Sequence, residues 1–363
     1  MTRPLLIGVA LTLLAGLLSG NCMLPMKFAR TWKWENVWLV FSIVSLLVLP
    51  WSLTLMFVRH PFAVYAALTL RQFAVPVAFG FGWGIAQILF GISVMRLGLG
   101  IAYAVIVGLS ALLGTLVPLF VQQRSLAKGP ALLYILGGIA MMIVGIVLTA
   151  WGGQSRERTI LGNRSAEFQQ HYPGAIALAV LCGIMAPMLN YSFAFGQDIA
   201  QQAMRLGNVP THAVYAVWPI GLAGGFLPNI VYSVWLLTRN RSWSLFRAPG
   251  PDILWPALMG MLWMSAFAIY GVSAAYLGNF GTSIGWGLFQ IFMIMTATIA
   301  GALTSEWKMA PRFARFLWAG GLVSLAVATV LLAAGNCLGR HAGLLNYTRT
   351  FVQRDQPFLK RSL

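Results

Sequence analysis

The chain has 363 residues, of which 59% are hydrophobic and only 9% charged. So little polar surface cannot cover such a core in water, which excludes a soluble globular fold and makes the bilayer the solvent. The formal charge of +17 comes from 24 Lys and Arg against 7 Asp and Glu scattered through the polar segments; with no basic domain, it points to membrane-surface phosphates and argues against nucleic acid.

An apolar run of roughly 20 residues crosses the hydrocarbon. Ten such runs follow one another, at residues 5–25, 37–57, 73–95, 101–121, 131–151, 174–195, 214–237, 253–277, 284–303 and 316–338. Arg3 and the small residues before Cys22 imitate a cleaved leader, but the run continues through Met23-Leu24-Pro25 without a cleavage site, so it reads as the first span. Nearly every charge falls between the runs or at their ends, as expected when a charge at a helix centre costs roughly 2.5–3.5 kcal/mol. Eleven basic residues fall on the amino-terminal side and thirteen on the other, so charge counting leaves the orientation open. An even number of spans puts both termini on one side.

The polar stretch 152–173 divides the chain into residues 1–151 and 174–338, with a basic tail at 339–363 read as a solvated or membrane-surface segment. Five spans precede the stretch and five follow. An odd number per half inserts the second half upside down, so the expected architecture is all-α, with ten transmembrane helices in two inverted five-helix repeats and a site between them. A duplicated motif supports it. Residues 80–98 (GFGWGIAQILFGISVMRLG) recur as 260–278 (GMLWMSAFAIYGVSAAYLG), sharing Gly80/Gly260, Trp83/Trp263, Ala86/Ala266, Gly91/Gly271, Ser93/Ser273, Leu97/Leu277 and Gly98/Gly278. The first spans of the halves also share a Gly-then-Pro feature, Gly20/Pro25 and Gly183/Pro187. Small residues at Ser110/Gly114 and Gly320/Ser324/Ala328 permit close helix contact, within the chain or between subunits; the oligomeric state is open.

Sugars need flat aromatic faces for their C–H surfaces and amides or hydroxyls for their many hydroxyls. Inside the spans stand Asn21, Gln87, Asn190, Tyr191, Trp218, Asn229, Tyr270, Trp286 and Gln290, beside the repeated pair Trp83 and Trp263. All but Asn229 are taken as candidate substrate ligands. A single amide in a membrane helix more often serves a helix–helix hydrogen bond; it is the collection that points to binding. Gln87 lies four residues after Trp83 and Gln290 four after Trp286, so each pair shares a helix face.

Ionisable groups are scarce inside the spans. None of Glu35, Glu157, Glu167, Asp198, Asp252, Glu306 and Asp355 falls mid-span, and His60, His171, His212 and His341 lie in loops or the tail. Lys27, Glu35 and Asp198, at span ends, are the candidates for cation coupling, each with a solvated or snorkelling position as its plainer reading. Cys22, Cys182 and Cys337 lack ligand spacing, so no metal is expected. No catalytic motif appears, neither a His-Glu metal pair, a Gly-x-Ser-x-Gly elbow nor a phosphate loop. The chain therefore reads as a non-enzyme without a cofactor. Asn163-Arg164-Ser165 fits a glycosylation triplet, a pattern common by chance.

The hairpin Pro25-Met26-Lys27-x-x-Arg30-x-Trp32-x-Trp34-Glu35-x-x-Trp38, followed by Leu49-Pro50-Trp51, resembles the first hairpin of the L-rhamnose–proton symporters, a branch of the drug/metabolite transporter superfamily. Trp83-Gly84-Ile85 with Gly91, Arg96-Leu97-Gly98, Cys182-Gly183-Ile184 and Glu306-Trp307 continue the resemblance over most of the chain. It implies two inverted five-helix repeats, cation-coupled uptake of a deoxysugar, and a bacterial inner-membrane location with both termini cytoplasmic. Thr282 and Phe289 depart from the family pattern, which tends to carry an acid and a histidine nearby. Without a mid-span carboxylate or histidine, proton coupling is expected to be weak or absent unless Asp198 or Glu35 bends into the cavity. The competing readings are a metabolite or drug exporter of the same superfamily, and a membrane enzyme or scaffold acting on lipid-linked sugars.

Overall fold

The computed structural model describes residues 3–97, 99–122, 129–161, 172–247, 250–303 and 307–359. Gly98, the triplet at 163–165, Glu167, His171 and Glu306 lie outside them, as do the side chains of Glu157, His341 and Asp355. The described residues form helices and no strand, and ten helices are long and apolar enough to cross a membrane. They are α1 (Arg3–Phe28), α2 (Trp34–Phe57), α3 (Leu70–Leu97), α4 (Ile101–Gln122), α5 (Pro130–Arg156), α6 (Pro173–Arg205), α7 (Pro210–Arg239), α8 (Gly250–Phe280), α9 (Ile284–Leu303) and α10 (Arg312–Gly339). Each overlaps one of the apolar runs, because a backbone without water must satisfy its own hydrogen bonds and does so as helix. Spans alternate in direction, so the start of α1 and the end of α10 share one face, the terminal face. The α1–α2 and α7–α8 connections lie at the opposite, far face.

The two halves are interleaved. α1 packs on α8 and α9, and α6 packs on α3 and α4; α3 lies along α7, and α2 meets α8. Replacing each helix by the one five further on turns these contacts into one another, and maps the α5–α10 pair onto itself. That pairing is consistent with two inverted repeats. Glycines make the close crossings possible. A methyl group on Gly80 of α3 would run into the Gly221 carbonyl of α7; Gly20 and Gly183 admit Met293 of α9 and Leu109 of α4 in the same manner. Both expected small-residue contacts lie within the chain. Gly114 receives the Trp286 indole, while on α10 it is Gly321 that meets Gly145 and Thr149 tightly, Gly320 touching only Leu148 at 3.8 Å.

Several spans are interrupted. α6 breaks at Pro187 and again at Gly196, isolating the eight-residue helix Met188–Phe195 from the terminal-face segment Gln197–Arg205. α2 widens to a π-helix at Ile43–Val48 ahead of Pro50, whose ring lacks an N–H. Helix continues beyond two spans as well, from α5 to Leu161 and from α10 to Leu359, entering the polar stretch and the basic tail.

Candidate functional site

Even-numbered spans finish at the terminal face, which gathers there Gln122 of α4, Gln197 and Gln201 of α6, and Asn279 of α8, with Thr282 just before α9. These side chains, with Phe193, Val214 and Ala274, line a cavity of about 600 Å³. Gln201, Met204, Pro210 and Asn279 on its wall are exposed, so it reaches the medium. A neighbouring cavity of about 540 Å³ shares Gln122, Gln197 and Gln201 and adds Thr69, Arg71, Gln72 and Asp198. The mouth thus lies between the halves and is rich in amides. Gln122 ties it together, donating to the Ala194 carbonyl at 2.8 Å and accepting from the Thr282 hydroxyl at 3.4 Å.

Beneath the mouth the broken α6 is pinned by Asn190. Its buried amide donates to the Gly114 carbonyl at 2.9 Å and the Thr282 carbonyl at 2.8 Å, and accepts from the Tyr270 hydroxyl at 2.7 Å. One side chain of α6 thereby joins α4, α8 and the turn before α9. Trp286 of α9 donates to the Ser110 carbonyl at 3.2 Å, and Gln290 reaches the Ser110 hydroxyl at 3.5 Å.

The aromatic candidates form one column. Trp83 stacks on Trp263 with centroids 5.5 Å apart, and Trp263 meets Phe267 at 4.3 Å. Phe267 sits edge-on to Trp218 at 5.8 Å, Trp218 stacks on Phe193 at 4.6 Å, and Phe193 adjoins Tyr270 at 5.7 Å. Tyr270 then meets Trp286 at 5.9 Å. The duplicated tryptophans therefore touch each other where α3 and α8 face, and the column descends from the cavity wall at Phe193.

Other candidates stand elsewhere. Tyr191 turns toward Phe79 and Phe195. Asn21 is half-exposed and, among the described residues, bonds its own helix at the Leu17 carbonyl, 2.8 Å away. Gln87 is half-buried and makes no hydrogen bond to any described residue, and neither it nor Gln290 lines the two cavities. The coupling candidates separate. Asp198 is exposed on the cavity mouth, whereas Lys27 and Glu35 lie at the far face. Glu35 is buried there, its carboxylate accepting from Asn240 at 3.0 Å and Ser242 at 2.7 Å.

Sequence reasoning passed over Asp252 as a loop acid. It is buried at the far face, where its carboxylate accepts the backbone N–H groups of Arg30, Thr31 and Trp32 at 3.2, 2.7 and 3.1 Å, and the Thr31 hydroxyl. With Asn36 on the Ser242 carbonyl (3.1 Å) and Trp38 on Asn229 (2.8 Å), it closes the α1–α2 hairpin onto α7 and α8. Gln122, Gln197, Gln201, Asn279 and Thr282 were also missed. Their signal was available in the topology: amides at the finishing ends of even-numbered spans must share a face.

Ten spans in two interleaved halves, meeting at a polar cavity continuous with an aromatic column, define a multi-pass membrane transporter. More particularly, the chain belongs to the L-rhamnose-proton symport protein (RhaT) family, whose model matches residues 1–339. It is 27% identical over 332 residues to the L-rhamnose-proton symporter of Cronobacter sakazakii, covering 89% of this chain and 95% of that relative. The proteins of the same name in Yersinia pestis and Yersinia pseudotuberculosis are 26% identical over 318 residues, covering 85% of this chain and 91% of each relative. Membership makes it a transporter and not an enzyme.

Proposed function

We propose that the protein is a symporter of a small sugar, L-rhamnose or a related deoxysugar, driven by a coupling proton across a bacterial inner membrane with both termini cytoplasmic. The observation that carries the reading is the cavity between the halves, with amides at its mouth and an aromatic wall leading inward, the two chemistries a sugar needs. The relatives' names support both sugar and proton. The substrate contacts are assigned to Gln122, Gln197, Gln201 and Asn279 at the mouth and to Trp218, Tyr270, Trp263 and Trp83 along the column. Asp198 is assigned the proton, being the acid among the described residues that lines the mouth.

Uptake of labelled L-rhamnose into proteoliposomes, with and without an imposed pH gradient and against unlabelled competing sugars, tests substrate and coupling together. Saturable uptake that the gradient accelerates is expected. Uptake indifferent to the gradient would remove the proton, and uptake displaced only by a different sugar would remove L-rhamnose.

A further inference from the structure

Trp218 is 2% exposed, and its indole N–H has no acceptor among the described residues. A buried donor left unpaired costs about 1–3 kcal/mol, which an acceptor supplied by a ligand would recover. Trp32 and Trp318 share the condition, but at the far-face ends of the fold. Trp218 is the one packed directly behind the cavity wall.

Two features flank the orphaned donor. Gly271 lies beside it, where a methyl group would stand 3.2 Å from the indole nitrogen, so the glycine leaves the N–H a narrow clearance. Across the indole face lies Phe193, stacked at 4.6 Å and inclined by only 8°. Phe193 is also on the wall of the 600 Å³ cavity, so a single ring separates that space from the indole. The ring is borne by the eight-residue helix Met188–Phe195, whose backbone Asn190 and Ser192 hold to α3, α4 and α8, so the part left to turn aside is the side chain alone. An aromatic pair of this kind is worth about 0.5–1.5 kcal/mol beyond its area, a contact a ligand can replace.

We infer that Phe193 is a shutter standing in the place of the sugar ring. Substrate entering from the cavity displaces it and lays a C–H face on the Trp218 indole, while an exocyclic hydroxyl reaching past the ring edge accepts the in-plane Trp218 N–H. Phe267, edge-on to the same indole at 5.8 Å, gives a deoxysugar's methyl group an apolar neighbour. This rests on the reading of the protein as a sugar carrier.

The test uses the full chain in lipid nanodiscs, with nitrogen-15 in its tryptophans and L-rhamnose as the probe. The indole N–H resonance absent from Trp218→Phe identifies Trp218, and it is expected to shift on saturation with sugar in the unchanged chain. Trp218→Phe keeps the stacking face and loses the donor, so equilibrium binding of labelled sugar should weaken by roughly 3- to 10-fold. Phe193→Leu removes the competing ring, so binding should hold or tighten. Sugar binding by the unchanged chain with a motionless Trp218 resonance overturns the inference alone, as does a Phe193→Leu loss equal to that of Trp218→Phe. Failure of the unchanged chain to bind L-rhamnose or any of a panel of aldoses overturns the sugar reading and the inference with it.

Discussion

Asn190 and Gln87 carry the same amide group into the membrane and meet different ends. The Asn190 amide is fully engaged, holding two carbonyls and the Tyr270 hydroxyl, while Gln87 has no hydrogen-bond partner among the described residues. Asn190→Leu strips the acceptor from a buried phenol, which costs about 1–3 kcal/mol. A lower melting temperature in detergent is expected, with uptake falling in step. Gln87→Leu should melt as the unchanged chain does, so any loss of uptake in that variant reports contact with substrate. A destabilised Gln87→Leu would instead assign its amide to packing. Residue types and depth alone singled out both amides and the Trp83–Trp263 pair. They did not distinguish a satisfied amide from a free one, because the partners of Asn190 lie 76 to 92 residues away.

The connection between α1 and α2 sets Phe28 against Trp255 and Trp32 against Phe246 at the far face, and polar contacts tie it further to the second half. Asp252 supplies its strongest tie, a charged acceptor for three backbone N–H groups and a hydroxyl. Hydrogen bonds to a charged group contribute about 1.5–3 kcal/mol each, more than neutral ones. Further along α2 from Asn36 and Trp38 of this seam, Ser42 is fully buried and its hydroxyl lacks a partner among the described residues. In a chain whose native cysteines are replaced, Ser42→Cys should react with a membrane-impermeant maleimide at least roughly tenfold faster once Asp252→Ala is added. An unchanged rate would mean that the seam is held elsewhere. The hairpin itself was legible from its Trp-rich spacing, whereas its partner acid was not. Asp252 looks like any other loop acid until the fold brings it against Arg30, Thr31 and Trp32, more than 200 residues away.

Across the whole molecule, the acids considered for coupling lie at opposite ends. Asp198 is on the mouth between the halves, and Glu35 is buried at the far face between Asn240 and Ser242. Substrate-induced alkalinisation of lightly buffered cells is therefore expected to disappear in Asp198→Asn and survive in Glu35→Gln. Proton uptake that survives in Asp198→Asn would take the coupling away from the mouth. The ten spans, the membrane and the even count that joins the termini at one face were determined by the sequence itself, because hydrocarbon enforces apolar runs of a set length whatever their neighbours. The motif shared by residues 80–98 and 260–278 pointed to two inverted repeats, with which the helix pairings are consistent. Only the tertiary structure decided which amides share a cavity, that the tryptophan candidates form one column through Phe193 and Phe267, and that Asp252 and Glu35 close the far face. Helix periodicity records which side of a span is apolar but not which distant helix lies against it, and each of these arrangements is a meeting of spans far apart in the chain.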